Sequence, residues 1–231
     1  MNYLPIFYDI KNKLCIVVGG GGIAARKVDL LNKAQADVTV ISPELGSEMS
    51  VFHAQNKINW IKRAYQQGDL ADAHLVVAST HLKAVNERVS AEAASLKTPC
   101  NVVDNPDICS FIMPSIIDRD PVQIAISTGG ASPVLARLIR TNLESCTPSA
   151  YGKLAKLVSH YRGAVKNAFP LVEERRRFWE SILEGPVSEH VFAGRNDDAR
   201  NLLETLITKA KSDPEYTGEV FLVGAGPGDP D

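Results

Sequence analysis

The chain has 231 residues, 45% of them hydrophobic, enough for one large domain or two small ones with a sizeable core. A formal charge of -2 and a pI near 6.2 argue against a general nucleic-acid binder, which would be basic. No run reaches the roughly 20 apolar residues of a membrane helix, and Met1-Asn2-Tyr3-Leu4-Pro5-Ile6-Phe7 has no basic leader, so neither membrane nor signal peptide is expected and the expected compartment is the cytoplasm.

Residues 1–12 lead into a first strand, Leu14-Cys15-Ile16-Val17-Val18, whose apolar, partly β-branched residues read as buried on both faces. It runs into Gly19-Gly20-Gly21-Gly22, and a helix is predicted over about 22–34. Gly19, Gly21 and Ala24 fall on the spacing G-x-G-x-x-G/A of a dinucleotide-binding turn. Gly19 allows the turn, Gly21 lets the backbone approach a pyrophosphate, and Ala24 keeps the helix close to the strand. The helix start near Gly22 points its unpaired N–H groups and positive dipole end at the phosphates. Glycine-rich turns also arise for steric reasons alone; here a strand before and a helix after supply the context the motif needs.

Asp37-Val38-Thr39-Val40-Ile41-Ser42 is the second strand of a βαβ unit. An acidic residue commonly closes this strand and binds the adenosine ribose. Here Ser42-Pro43-Glu44 closes it, with Ser42 as a candidate for a ribose hydroxyl and Glu44 two residues late. No Arg follows closely to receive a 2′-phosphate, which favours NAD over NADP. A helix from Glu44 to Asn56, a short strand at Ile58-Asn59-Trp60-Ile61 and a turn at Gly68-Asp69-Leu70 follow. His74 to Thr80 reads as another buried strand, and its small polar end, with Thr80, suits a cofactor crevice. After a helix over about 82–96 comes Cys100-Asn101-Val102-Val103-Asp104. The alternation over residues 1–105 predicts an α/β fold, a Rossmann-type parallel sheet with helices on both faces. Asp104 stands at the carboxyl edge, where open α/β sheets place ligands. Followed by Asn105-Pro106, it reads equally as a helix cap or an Asx turn.

From Ser110 the character changes. Phe111 to Ile117 and Val122 to Ser127 flank Asp118-Arg119-Asp120-Pro121, a predicted β-hairpin. Ser132 then reads as the N-cap of a helix over about 133–145, with Pro133 at its first position. Gly129-Gly130 before it fits an anion-binding nest or a hinge. Arg137 and Arg140 lie three apart, roughly on one helix face. Residues 148–208 are predicted helical throughout, with Leu154, Leu157, Val158, Tyr161 and Val165 at helical spacing. Arg175-Arg176-Arg177 reads as a solvated face or as a grip on an acidic ligand. His160 and His190 lack ligand-like spacing, and Cys15, Cys100, Cys109 and Cys146 form no C-x-x-C pair, so no metal site and a reduced protein are expected. Lys209 to Thr217 reads as a linker. Gly218 to Asp231 opens a second strand-and-glycine-loop module and stops.

Several blocks carry a family resemblance: Leu4-Pro5-Ile6-Phe7, Val17-Val18-Gly19-Gly20-Gly21 with Ala24-x-Arg26-Lys27, Asn101-Val102-Val103-Asp104, Ser110 to Arg119, Gly129-Gly130-x-Ser132-Pro133-Val134-Leu135-Ala136-Arg137, and Glu174 to Glu180. Together they resemble the N-terminal part of sirohaem synthase, a precorrin-2 dehydrogenase and sirohydrochlorin ferrochelatase. The tail, Val223 to Pro230, resembles the start of the fused uroporphyrinogen-III C-methyltransferase domain, whose S-adenosylmethionine loop would include Pro227; with only that loop present, no methylation is expected. The resemblance implies an NAD-binding Rossmann-like domain over 1–113, a dimerisation region over 114–147, a helical domain over 148–208, a linker over 209–217 and the methyltransferase start over 218–231.

The resemblance further implies a homodimer whose hairpin and following helix exchange contacts, with the active site between that region and the nucleotide domain. It implies NAD held by Gly22 and Ile23 at the helix start and by Pro43 and Glu44 after the second strand, and Asp104 as the general acid–base. The family often carries a serine where Thr128 stands. Precorrin-2 is a tetrapyrrole rich in carboxylates; losing a hydride to NAD must be accompanied by loss of a proton, and inserting ferrous iron, a substrate, displaces pyrrole protons, so one positioned carboxylate could serve both steps. Arg119, Arg137 and Arg140 are candidates for the substrate carboxylates from charge and position, with Ser127, Thr128 and Gly129 beside them. Two rival readings are an NAD-dependent oxidoreductase of another small anionic substrate and a non-catalytic NAD-sensing module.

Overall fold

In the computed structural model, which describes residues 2–212, β1 (Leu14–Val18) is followed by α1 (Gly22–Lys33), β2 (Asp37–Ile41), α2 (Ser47–Ala54), β3 (Asn59–Ile61), β4 (Leu75–Ala78), α3 (Lys83–Ser95) and β5 (Cys100–Val102). The strands form one five-stranded sheet in the order β3-β2-β1-β4-β5, and every pairing is parallel. Side chains alternate across it. Cys15 and Val17 pack with Ala24, Val28 and Leu31 of α1 and Met49 of α2, whereas Ile16 and Val18 pack with Val89 and Ala93 of α3. β1 is therefore buried on both faces, as its unbroken apolar run predicts. Each such Val or Ile contributes about 1.5–3 kcal/mol, so a charge at Val17 would break the sheet at its centre. Burial, helped by the nearby Asp37 charge, pushes the Cys15 thiol up to about 11.

The strand order reverses between β1 and β4, and in sheets of this kind the crevice beyond the carboxyl ends at that point takes the ligand. Several elements are shorter than the sequence suggests. α2 starts at Ser47 rather than at Glu44, because Gly46 and its neighbours are bound into the loop after β2. β5 ends at Val102, leaving Val103 and Asp104 in a turn.

The hairpin also begins later than predicted: β6 is Ser115–Arg119 and β7 is Val122–Ile126, so Phe111 to Pro114 are not strand and Asp118 and Arg119 are. The residues before β6 instead cover the outer edge of β5. Ser110 donates its N–H to the Cys100 carbonyl at 2.9 Å, and its Oγ accepts the Cys100 N–H at 2.7 Å. The Asn101 amide donates to the Phe111 carbonyl at 3.0 Å. An edge strand leaves such groups unpaired, and a covering loop satisfies them.

Beyond β7 come α4 (Pro133–Cys146), α5 (Ala150–Ala168), α6 (Val172–Glu184), α7 (Pro186–Phe192) and α8 (Asn196–Ser212). The expected N-cap is present, with the Leu135 N–H donating to Ser132 Oγ at 3.1 Å. Residues 148–208 are not one helical stretch. Pro170 sits in the first break, Gly185 directly before Pro186 makes the second, and Gly194 at φ +78° makes the third. α8 runs on to Ser212, so the expected linker is helical over 209–212; its remainder and the tail with Pro227 lie outside the described residues.

By contacts the chain forms two units. One holds the described residues up to Ser115 with Ile126–Arg137; the other holds Ile116–Ala125 and the described residues from Leu138 on. The second has its own core, built on Leu154, Tyr161, Val165, Ile182, Val191 and Leu203. In it α5 meets the hairpin at Gly152, where a Cβ would fall 1.8 Å from the Arg119 carbonyl oxygen. The basic run is mostly structural: Arg175 donates to the Phe169 and Pro170 carbonyls at 2.8 and 2.6 Å, ending α5, while Arg176 and Arg177 pair with Glu173. Among the described residues no helix is long and apolar enough to cross a membrane.

The first unit contains a locally closed ion pair. Arg63 donates to both Asp69 oxygens, at 2.7 and 2.6 Å, and the Gln66 N–H adds a bond at 2.8 Å. The Arg63 hydrogen bonds hold the Asp69 carboxyl below its usual value, against an opposing effect of burial. A depressed carboxyl stabilises the fold above the unfolded value, near 3.9, and loses that contribution as pH falls through the folded value. Asp69→Asn is therefore expected to lower stability at pH 7 in urea unfolding and to differ less from wild type at pH 3.

Candidate active site

The glycine turn after β1 is built by close approach on two sides. Gly19 has φ +124°, and a Cβ there would lie 2.3 Å from the Ser79 carbonyl oxygen at the end of β4. Gly20 faces the loop after β2: a Cβ would lie 2.1 Å from the Glu44 carbonyl oxygen, and the Gly20 carbonyl accepts the Gly46 N–H at 2.9 Å. The turn and the Pro43–Glu44 loop are thus interlocked.

Gly21 is different. It is the N-cap of α1 at φ -81°, ψ 176°, no side chain caps the helix, and the first turn has no acidic residue. Nothing lies within 4 Å of a Cβ placed on Gly21 or Gly22. The N–H groups of Gly22, Ile23 and Ala24 precede the first intrahelical bond, which Ala25 makes to Gly21 at 3.0 Å. An uncapped helix start with open space in front of it fits a pyrophosphate. Ala24 is fully buried, which brings α1 down onto the sheet.

The residues expected around this start have distinct placements. Pro43 and Glu44 are exposed beside it. Ser42 is buried, and its Oγ donates to the Glu44 carbonyl at 2.6 Å, which shapes the loop. Thr80 is tied to α3, for Thr80 Oγ1 lies 2.8 Å from Asn86 Oδ1 and Asn86 Nδ2 donates to the Thr80 carbonyl at 3.0 Å. Its hydroxyl is held by the fold at the carboxyl edge of the sheet.

Asp104 is exposed, in a left-handed turn at φ +58°. The short 3-10 turn that follows has Asn105, not Asp104, at its cap position, and among the described residues no hydrogen bond reaches the Asp104 carboxylate. The cap and Asx-turn readings therefore fall away. It interacts with a charge on α1: burial and the like charge of Arg26 lower the Lys27 ammonium, while Asp104 acts the other way. Lys27 thus links the cradle helix electrostatically to Asp104.

The substrate-side residues divide. Ser127, Thr128, Gly129 and Arg137 belong to the same unit as Asp104, Arg119 and Arg140 to the other. Gly129 and Gly130 have φ +64° and +88°, Ser127 Oγ accepts the Gly129 N–H at 3.0 Å, and Thr128 Oγ1 accepts the Ser132 N–H at 3.2 Å. Arg119 and Arg140 are engaged within their own unit. Arg119 Nε donates to the Thr147 carbonyl at 2.8 Å, and both guanidiniums converge on Glu144, at 3.8 and 3.3 Å. They hold the hairpin to the end of α4 and are not presented as free cations.

Three family models match the chain in succession: a putative NAD(P)-binding family over residues 6–115, the sirohaem biosynthesis protein central family over 119–145 and the sirohaem synthase dimerisation region over 150–207. The chain is 50% identical over 231 residues to siroheme synthase of Thioalkalivibrio sulfidiphilus, covering 100% of this chain and 47% of that protein. It is 50% identical over 235 residues to siroheme synthase of Nitrosospira multiformis, covering 100% and 50%. Over its whole length the chain is similar to these siroheme synthases. It spans about half the length of the curated relatives it matches.

Among solved structures, one titled SirC, precorrin-2 dehydrogenase, superposes with a TM-score of 0.69 over 90% of this chain and 100% of that one, at 21% identity, a likeness of fold. The structure adds four positions that residue types and spacing did not single out. Gly20 is excluded from carrying a side chain by the Glu44 carbonyl, and Asn86 clamps Thr80. Lys27 interacts with the Asp104 charge from α1, and Cys109 Sγ lies 3.2 Å from the carbonyl oxygen of Asn105, next in the chain. Only Gly20 and Lys27 had a signal, since both fall inside the quoted family blocks.

Proposed function

We propose that the chain oxidises precorrin-2 to sirohydrochlorin with NAD and then inserts ferrous iron to give sirohaem. The observation that supports this best is the shared carboxyl edge: the uncapped start of α1 follows β1, and the Asp104 carboxylate, without a hydrogen bond among the described residues, follows β5, on the other side of β4. NAD, when bound, supplies the hydride acceptor. Gly22 and Ile23 would hold its pyrophosphate through backbone N–H groups, and the Pro43–Glu44 loop would flank its adenosine side.

Asp104 would take the proton released as precorrin-2 loses its hydride, and in the second step the pyrrole protons that ferrous iron displaces. The macrocycle brings the nitrogen ligands for the iron, so the protein need supply only the base. Ser127, Thr128, Gly129 and Arg137 would meet substrate carboxylates. The proposed domain division is 1–113, 114–147 and 148–208, with a linker over 209–217 and a methyltransferase start over 218–231, and the proposed compartment is the cytoplasm, where free thiols stay reduced.

A homodimer is part of the proposal. α4 exposes Val134, Leu135, Leu138, Ile139 and Leu143, each 37–57% accessible, at helical spacing. Such a stripe calls for a cover, and the family region described as a dimerisation region begins just beyond it. Leu138→Asp is expected to convert a dimer to a monomer in sedimentation equilibrium; an unchanged dimer would place the interface elsewhere.

The test of the activity is anaerobic incubation with precorrin-2 and NAD, following sirohydrochlorin absorbance, and then adding ferrous iron. Sirohydrochlorin and NADH should appear together, and sirohaem on adding iron. Tight NAD binding with no oxidation of precorrin-2 would overturn the reading.

A further inference from the structure

With no hydrogen bond to its carboxylate among the described residues, Asp104 is aimed by its backbone, which sits at φ +58°. Asp tolerates this left-handed region, but a residue stays there only where its surroundings hold it. Two backbone bonds fix the turn: Val103 N–H to the Ala78 carbonyl at 2.9 Å and Asn105 N–H to the Val102 carbonyl at 3.3 Å. The remaining fixation comes from one side chain. Cys109 Sγ accepts the Val102 N–H at 3.1 Å and lies 3.2 Å from the carbonyl oxygens of both Val102 and Asn105, either of which its S–H can reach. Val102 is buried and β5 is the sheet edge, so no neighbouring strand can take that N–H on its outer side.

We propose that Cys109 is a positioning residue for Asp104, its thiol closing the turn across the residues that flank the carboxylate. This rests on the reading of Asp104 as the group that moves protons. The segment that carries Cys109 is anchored to β5 by the Ser110 N–H, which donates to the Cys100 carbonyl at 2.9 Å, so the thiol grips the turn from a fixed point. An apolar replacement of similar size fills the space but leaves the Val102 N–H and the Asn105 carbonyl without this partner, and the turn loses its closure. Serine keeps a donor and an acceptor.

The test compares Cys109→Val, Cys109→Ser, Ser110→Ala and Asp104→Asn in the precorrin-2 oxidation assay with NAD. Cys109→Val should lower kcat by about tenfold to a hundredfold, the scale of a misplaced catalytic group, with KM for NAD unchanged. Cys109→Ser should restore most of the loss. Ser110→Ala removes the link to Cys100 on the same edge without touching the turn, and should lower the melting temperature while leaving kcat near wild type. Where Cys109→Val does not fold, Cys109→Ala carries the same expectation. Wild-type kcat in the Val or Ala variant, or a Ser variant no better than Val, would overturn the proposal. Wild-type turnover by Asp104→Asn would instead overturn the reading of Asp104; an inactive Asp104→Asn beside a fully active Cys109→Val isolates the failure to Cys109.

Discussion

Asp104→Asn is expected to slow precorrin-2 oxidation by about 10²- to 10⁴-fold, the usual contribution of a positioned acid–base group, while leaving NAD affinity unchanged. Asn matches Asp in size and in its tolerance of the left-handed region, so the turn at φ +58° should survive the exchange. The carboxylate has no hydrogen-bonded partner among the described residues whose loss could disturb the fold. Stability and NAD titration by fluorescence should therefore track wild type, and only the rate should fall. If one carboxylate serves both steps, iron insertion falls with oxidation in the same variant. A variant that oxidises slowly but inserts iron at the wild-type rate would assign the second step to another group.

The second large effect separates two adjacent glycines. Gly20→Ala places a methyl 2.1 Å from the Glu44 carbonyl oxygen and 2.8 Å from Ser42 Oγ, and backbone must move to admit it. Overpacking of this kind costs about 1–3 kcal/mol or more, so the first unit should melt lower. Gly21→Ala meets nothing within 4 Å, and φ -81°, ψ 176° is open to any residue. Its stability should match wild type, yet its methyl occupies the space in front of the helix start, and NAD affinity should fall at least about tenfold, or 1.4 kcal/mol. Gly21→Ala binding NAD as wild type does would move the pyrophosphate away from this turn. A destabilised Gly21→Ala would mean that the space in front of α1 is closed by the fold.

The contrast between these glycines shows what the sequence could carry. β1 and α1 were legible because burial on two faces and helical periodicity are local patterns, and Leu14–Val18 and the start at Gly22 agree with the structure. The four helices beyond α4 merged in the reading because apolar periodicity ran across Pro170, Gly185-Pro186 and Gly194, although those residues carried the signal for each break. Side-chain commitment was not legible. Arg119 looked like a free cation until Thr147 and Glu144, far along the chain, were brought against it. Ser42 looked available for a ribose, but its neighbour two residues on takes the proton. Asp104 read equally as a cap or as a ligand-facing acid, and the three-dimensional turn gives the cap position to Asn105.

The most direct test of the account is the structure of the protein with NAD bound. The account predicts pyrophosphate oxygens within hydrogen-bonding distance of the Gly22 and Ile23 N–H groups and the nicotinamide on the carboxyl edge that carries Asp104. A turn left empty at saturating NAD, or a nicotinamide on the opposite edge of the sheet, would contradict it.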